Sequence, residues 1–380
     1  MALIAAALLF LAVWIVVPAP NMWLLPLGVG VPEVSPILLA ASAIVLLLCF
    51  RGKSVRKLGV LFALVAAGLA AIPLWQMSST IRAFDGALTT AFPGARLGAS
   101  PGMRPSPIVT RDLFLGIKAP QPRISRGVQF ATPEGLPLVL DIYQPAARGR
   151  YPVLLQIHGG SWQRGTRADN ETFARYFTSQ GYVVIAIEYR LAPRWQWPAN
   201  LEDVQAALAW IRASGRSSDL DVDRIAIVGR SAGAQLALLA AYVDKPPVRA
   251  VVSYYGPTDL LEGWKDPPRP DPASVRSLLE SFLGGTPETQ PVRYREASPV
   301  TYVSGGVPPT LQIQGVRDHV VRHRFARDLH ERLKTAGARS VLLEIPWSEH
   351  AFDAVPQGLG GQLSLYYTER FLAAALAPRR

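Results

Sequence analysis

The chain has 380 residues, 49% of them hydrophobic, and a formal net charge of +11. That length holds one large domain or two ordinary ones, and the basic balance speaks to solubility and association with anionic surfaces, not to fold. No nucleic-acid module is present, and a single cysteine, Cys49, excludes an internal disulfide.

The apolar excess lies at the N-terminus. Met1 to Pro32 contain no charged residue, and three apolar runs follow one another at about 2–17, 34–50 and 58–76. A helix needs about 20 mostly apolar residues to cross a bilayer, with a range of about 17–25. The three runs therefore predict a membrane anchor over residues 1–76, with Trp14, Trp23 and Trp75 near the run ends as interface residues. The second run is short enough to be a re-entrant hairpin instead. The first lacks a basic leader and an Ala-x-Ala site, which favours a retained helix over a cleaved signal. Arg51, Lys53, Arg56 and Lys57 form a short basic loop, expected in the cytoplasm. That leaves the chain after Trp75 outside the cytoplasm, on the periplasmic or cell-exterior side. Residues 77–124, dense in Pro, Gly and Ala from Pro93 to Pro107, predict a linker, with a short helix over Ile108–Ile117.

Residues 125–380 alternate between short aliphatic runs and helical patterns, beginning with strands at Gly127–Ala131, Leu138–Tyr143, Val153–Ile157 and Val183–Tyr189. Further strands are expected at Ile225–Val228, Ala250–Tyr255, Leu311–Gln314 and Ser340–Ile345, with helices at 172–180, 199–213, 232–242, 321–336 and 362–376. The pattern predicts an α/β domain whose mostly parallel sheet is covered on both faces. Residues 257–308, long and Pro-rich, read as a lid-like insertion.

Within that frame, Gly229-Arg230-Ser231-Ala232-Gly233 closes one aliphatic run and opens a helical one. A strand–turn–helix with small residues beside a serine is the setting of a nucleophile. Such a serine needs a base, an acid that orients it, and donors for an oxyanion. On a doubly wound sheet with this elbow the order is Ser, acid, His. His158 precedes Ser231, His323 and His330 lie on a charged helix, and His319 adjoins Asp318. His350, in the loop after the last strand, is the expected base. Asp318, just past a strand end, is the expected acid; its competitor Asp259 suits a turn cap. Gly159, Gly160 and Ser161 follow the third strand and, with the amide of Ala232 at a helix N-terminus, form the expected oxyanion hole. No metal-spaced His/Cys cluster occurs, and no cofactor is required.

These motifs, His158–Trp162, Glu188–Pro193 with Pro198–Asp203, Gly229–Gly233, Tyr255–Asp259, Gly315–Asp318 and Glu349–Phe352, together resemble the α/β-hydrolase superfamily. More narrowly they resemble the esterase branch that includes hormone-sensitive-lipase-like and bacterial feruloyl-esterase-like enzymes, over about residues 125–376. The resemblance implies an α/β-hydrolase fold, with Ser231 as nucleophile, Asp318 as acid, His350 as base, and backbone donors from Gly160, Ser161 and Ala232. Ser161 stands where a third glycine is usual, followed by Trp162, which leans towards the feruloyl-esterase-like members. Arg230 stands where Asp or His is commoner. A cation there either biases the pocket towards anionic substrates or pairs with a neighbouring acid. Trp162, with Trp195 and Trp197, either lines the pocket or packs the lid.

The function expected is a membrane-anchored serine hydrolase acting on a small-molecule or lipid carboxylic ester. Two alternatives use the same fold: an amidase or acyltransferase acting on a cell-envelope substrate, and a catalytically silent binding domain tethered to the membrane.

Overall fold

A computed structural model of the chain describes residues 1–51, 57–94, 102–215, 219–243 and 248–377. Four N-terminal helices come first: α1 (Ala2–Val13), α2 (Leu25–Glu33), α3 (Ser35–Arg51) and α4 (Lys57–Ala91). Helix α5 (Thr110–Leu115) then leads into strands β1 (Arg123–Ala131), β2 (Leu138–Gln144) and β3 (Tyr151–Ile157). Next come α6 (Glu171–Ser179), β4 (Val183–Ile187), α7 (Ala199–Ser214), β5 (Leu220–Arg230), α8 (Ala232–Val243) and β6 (Ala250–Tyr254). Three short helices, α9 (Leu260–Lys265), α10 (Val275–Leu283) and α11 (Pro291–Glu296), occupy the insertion. Strand β7 (Thr310–Gly315), helix α12 (Arg324–Thr335), strand β8 (Ser340–Ile345) and helix α13 (Leu359–Ala375) close the chain.

The eight strands form one sheet in the order β1-β2-β4-β3-β5-β6-β7-β8. β3 to β8 run parallel, and β2 is antiparallel to both its neighbours. The central strands β4 and β6 are buried along their whole length, which is why they read as unbroken aliphatic runs rather than alternating ones. In register, Leu155 of β3 faces Ile185 and Ile227, and Ile157 faces Gly229. The C-terminal ends of β3, β5, β7 and β8 therefore share one edge, where ligands bind on such sheets. Two buried apolar clusters cover the faces, one holding α7 and α8, the other α6 and α13.

The N-terminal third departs from expectation in three ways. First, the run at 2–17 forms only the 12-residue α1 followed by a turn; about 18 Å of helix does not cross a core of about 30 Å. Second, α2 and Ser35–Phe50 are bent by 79° at Val34, so the run at 34–50 continues a broken helix. Among the described residues only α4 is long and apolar enough by itself to cross a membrane, or two segments if the bent pair is one. Three straight spans are not supported. Residues 52–56 of the basic loop and 95–101 of the linker lie outside the described residues.

Third, the linker predicted from residue 77 is helix as far as Ala91. Met77, Ile81, Phe84 and Leu88 recur at helical spacing and join the cluster that holds α13. Phe84 meets the Tyr367 ring edge-on at 5.1 Å, and Tyr367 donates to Asp85 at 2.9 Å. The residues past Gly102 are also docked: Arg104 is buried and donates to Asp112 at 2.9 Å and to Gln362 at 2.5 Å. The lower part of α4 is thus a structural helix of the α/β domain. Replacing Phe84 with Ala is expected to cost about 3–5 kcal/mol. The measurement is a lowered melting temperature with new tryptic cleavage at Arg82, and an unchanged melt would show that 77–91 is not docked.

Candidate active site

Ser231 sits at the turn from β5 into α8 with φ 51°, a left-handed conformation that costs a non-glycine residue about 1–3 kcal/mol. Its N–H donates to the Tyr254 carbonyl at 2.9 Å. The turn closes only because its neighbours lack side chains: a Cβ on Gly229 would collide with the Gly233 carbonyl, and one on Gly233 with the His158 carbonyl.

His350 reaches Ser231 from the loop after β8, with Nε2 2.9 Å from the serine Oγ. Its Nδ1 lies 2.8 Å from Asp318 Oδ2, past the end of β7. A carboxylate only accepts, so Nδ1 carries the proton and Nε2 is left to accept from Ser231. The structure thus brings together three residues far apart in sequence. Asp318 is held in turn by Gln314 Nε2 (2.8 Å) and by the amides of Val320 (2.8 Å) and Val321 (2.7 Å). Burial pulls the His350 imidazole down, but the Asp318 charge and hydrogen bond, with Glu349 and Asp353 nearby, outweigh it and hold the imidazole above its ordinary value.

Gly159, Gly160 and Ser161 border the same cavity as Ser231 and His350. The loop is tightly wound: Gly160, Ser161 and Trp162 all have positive φ (112°, 55° and 59°). A Cβ on Gly159 would lie 2.9 Å from the Arg230 carbonyl, so the loop is pressed against the elbow. Ala232 opens α8, where amides have no acceptor within the helix and the helix dipole favours negative charge. A carbonyl carbon at Ser231 Oγ would find a base on one side and helix-terminal amides on the other, the requirements of nucleophilic acyl substitution.

The remaining histidines are accounted for. His158 is buried, its Nδ1 2.7 Å from the Gly159 carbonyl and its ring stacked on Tyr189 at 4.3 Å; burial holds it below its ordinary pKa. His319 Nδ1 lies 2.6 Å from Glu349, His330 Nδ1 lies 2.8 Å from Ser340 Oγ, and His323 starts α12. Asp259 caps α9 by accepting from Glu262 N at 3.0 Å.

Arg230 is buried and donates from Nε to Asp353 at 2.5 Å, between the rings of Phe173 (4.4 Å) and Tyr254 (4.7 Å). It therefore pairs with an acid, although it also borders the cavity. Tyr255, packed 4.6 Å from the His350 ring, donates to the same Asp353. Trp162 donates to Gln235 at 3.0 Å and stacks on Phe282 of α10 at 4.2 Å, and Trp197 meets Phe282 edge-on at 6.1 Å. It is a packing residue whose edge lines a small apolar pocket beside Ser231. Trp195 instead lies under the guanidinium of Arg194.

Sequence reasoning did not pick out four residues that shape the site. Gln314 braces Asp318, and a glutamine in an aliphatic strand was the available signal. Glu349 accepts from the amides of His319 (2.6 Å) and His350 (2.9 Å) and so joins the two loops. Asp353 anchors Arg230. Glu33, the one acid of the N-terminal region, accepts from Ser348 Oγ at 2.6 Å and from the Gly360 amide.

Three comparisons bear on these observations. The profile of the BD-FAE family matches residues 140–333. Two relatives come from Mycobacterium tuberculosis. The protein named "Probable carboxylic ester hydrolase LipM" is 33% identical over 60% of this chain and 56% of its own, and "Esterase LipC" is 35% identical over 53% of each. The chain spans about half the length of these curated relatives. Among solved structures, a thermophilic esterase from Thermogutta terrifontis is 24% identical, with a TM-score of 0.57, over 68% of this chain and 95% of its own. That likeness is one of fold, and the mixed sheet described above is the α/β-hydrolase sheet.

The pKa of His350 gives a signed expectation. Imidazolium cannot take the Ser231 proton, so kcat/KM on a chromogenic ester should fall as pH drops through a pKa above 6.5. Asp318→Asn should lower kcat by about 10⁴-fold. It should also move the residual acid limb to lower pH, because the charge that held the proton is gone. A pH–rate profile measures both, and an acid limb that stays put would remove His350–Asp318 as its source.

Proposed function

The chain belongs to the BD-FAE family, and from that premise we propose that it is a serine hydrolase that cleaves carboxylic esters at Ser231. The observation that carries this is the continuous line from Ser231 Oγ to His350 Nε2 (2.9 Å) and from His350 Nδ1 to Asp318 (2.8 Å). The names of the relatives, a carboxylic ester hydrolase and an esterase, support it.

In this mechanism Ser231 Oγ attacks the ester carbonyl carbon while His350 Nε2 takes its proton. The carbonyl oxygen becomes an oxyanion, stabilised by the amides of Gly160, Ser161 and Ala232; such donors are each worth about 3–4 kcal/mol in a comparable site. Asp318 keeps the imidazole in the right tautomer and stabilises the imidazolium. Collapse of the intermediate breaks the bond to the alcohol oxygen, which leaves with the proton from His350. Water, deprotonated by the same imidazole, then releases the acid and restores Ser231.

Attachment to a membrane is part of the proposal. Its support is α4, apolar on all sides from Leu58 to Trp75, with the bent pair α2–α3 as a second apolar segment. The basic residues Arg51, Lys53, Arg56 and Lys57 favour the cytoplasmic side of a membrane, which leaves the α/β domain outside the cytoplasm.

Two experiments test this reading. A fluorophosphonate probe should label the purified protein and fail to label Ser231→Ala, whose ester hydrolysis should drop by about 10⁶-fold; full hydrolysis by Ser231→Ala would overturn the assignment. For topology, a C-terminal alkaline phosphatase fusion should be active and a C-terminal green fluorescent protein fusion dark, and the reverse would place the domain in the cytoplasm.

A further inference from the structure

Ser231 borders two spaces of different size and character. One, of about 610 Å³, is also bordered by His350 and by Arg164, Asp169 and Asn170. The other, of about 40 Å³, is almost wholly apolar, with Ala232, Leu260, Leu279 and Phe325 among its walls, and His350 does not border it. That asymmetry assigns the halves of an ester. The oxygen that leaves must receive its proton from His350, so the alcohol half occupies the large space and the acyl half faces the small one. This step rests on the ester-hydrolase reading.

The far wall of the large space comes from outside the α/β domain. Met22, Leu25 and Val29, in and just before α2, border it together with Val320. This segment is docked rather than draped. Glu33 ends α2 fully buried, accepting from Ser348 Oγ at 2.6 Å and from the amide of Gly360, two residues before His350 and at the start of α13 respectively. A Cβ on Gly358 would lie 2.6 Å from the Glu33 Cβ, so the fit is close. Arg317, one residue before Asp318, donates to the Val16 carbonyl. The N-terminal segment thus grips the two loops that carry His350 and Asp318.

We propose that residues 22–29 are the alcohol-selecting wall of the active site, held in place by Glu33. The alcohol half that fits is amphiphilic: apolar where it meets Met22, Leu25 and Val29, hydrogen-bonding where it meets Arg164, Asp169 and Asn170. Such alcohols gather at membrane surfaces, and exposed Trp23 beside Met22 suits that boundary.

The test uses the full chain in detergent and two substrate series. One varies the alcohol at constant acyl group (methyl, butyl and octyl acetate, followed by proton release). The other varies the acyl group at constant alcohol (4-nitrophenyl acetate, butyrate and octanoate). Leu25→Ser should lower the octyl-to-methyl ratio of kcat/KM by about tenfold or more, with the butyrate-to-acetate ratio unmoved. Leu279→Trp should do the opposite. Met22→Ser, at a partly exposed position, should repeat the Leu25 pattern in a protein that folds normally. An unmoved alcohol ratio in both N-terminal variants, or a shift confined to the acyl series, overturns the proposal while leaving ester hydrolysis intact. A wild-type protein that hydrolyses none of these esters and resists fluorophosphonate overturns the underlying reading, and the wall with it.

Discussion

Three backbone segments meet around Ser231 more closely than side chains would allow, and the geometry of the site follows from that crowding. The turn into α8, the loop after β3 and the end of β6 are locked together by the Ser231 amide on Tyr254, by Gly159 against the Arg230 carbonyl, and by Gly233 against the His158 carbonyl. No rotamer or hinge separates the serine from the loop bearing Gly160 and Ser161. Amides fixed in this way need no reorganisation when charge develops, which is where most electrostatic stabilisation arises. The local strain at Ser231, about 1–3 kcal/mol, is offset by the two large apolar clusters on either face of the sheet.

A second constraint is the buried pair Arg230–Asp353. Arg230 is the last residue of β5, and its guanidinium lies over the rings of Phe173 of α6 and Tyr254 of β6 while still bordering the cavity. Removing a charge from water costs several kcal/mol unless it is paired. Asp353 supplies the pair, and the faces of Phe173 and Tyr254 supply cation–π contacts. The pair in turn fixes the loop after β8, because Asp353 lies three residues past His350 and also holds the hydroxyl of Tyr255, whose ring backs the imidazole. Arg230 therefore acts on the site through position, and its charge is spent on Asp353.

The sheet and the Ser231–His350–Asp318 line were legible because chain order and strand ends constrain them jointly. Each residue follows an aliphatic run, and only one histidine lay in a loop after the last strand. The supporting residues were less legible for a physical reason. Gln314, Glu349 and Asp353 act through contacts across 30 residues or more or through loop curvature, and neither leaves a periodic trace. Helix 77–91 had such a trace in Met77, Ile81, Phe84 and Leu88, but the Pro-, Gly- and Ala-dense stretch from Pro93 to Pro107 dominated the reading of the whole segment as a linker. The N-terminal runs misled in the other direction. Uniform apolarity reads as spanning length, whereas the first run is helical only as far as Val13, and the second is the 17-residue α3, set at 79° to α2 across Val34.

Those short helices also connect the apolar segment to the chemistry. α4 descends from its uniformly apolar half into an amphipathic half that packs on β8 and α13. α2 meets α13 and the loop after β8, through Glu33 on Gly360 and Ser348. Two attachments, one through α4 on β8 and α13 and one through Glu33 on α13 and the loop after β8, tie the N-terminal helices to the sheet. Ser348 belongs to the His350 loop, so the contact that holds α2 also holds the loop that carries the imidazole. A carboxylate as deeply buried as Glu33 is costly unless every lone pair is used, and its partners are residues of the catalytic layer. The N-terminal helices and the α/β domain are in this sense one folded unit, with the site at their boundary.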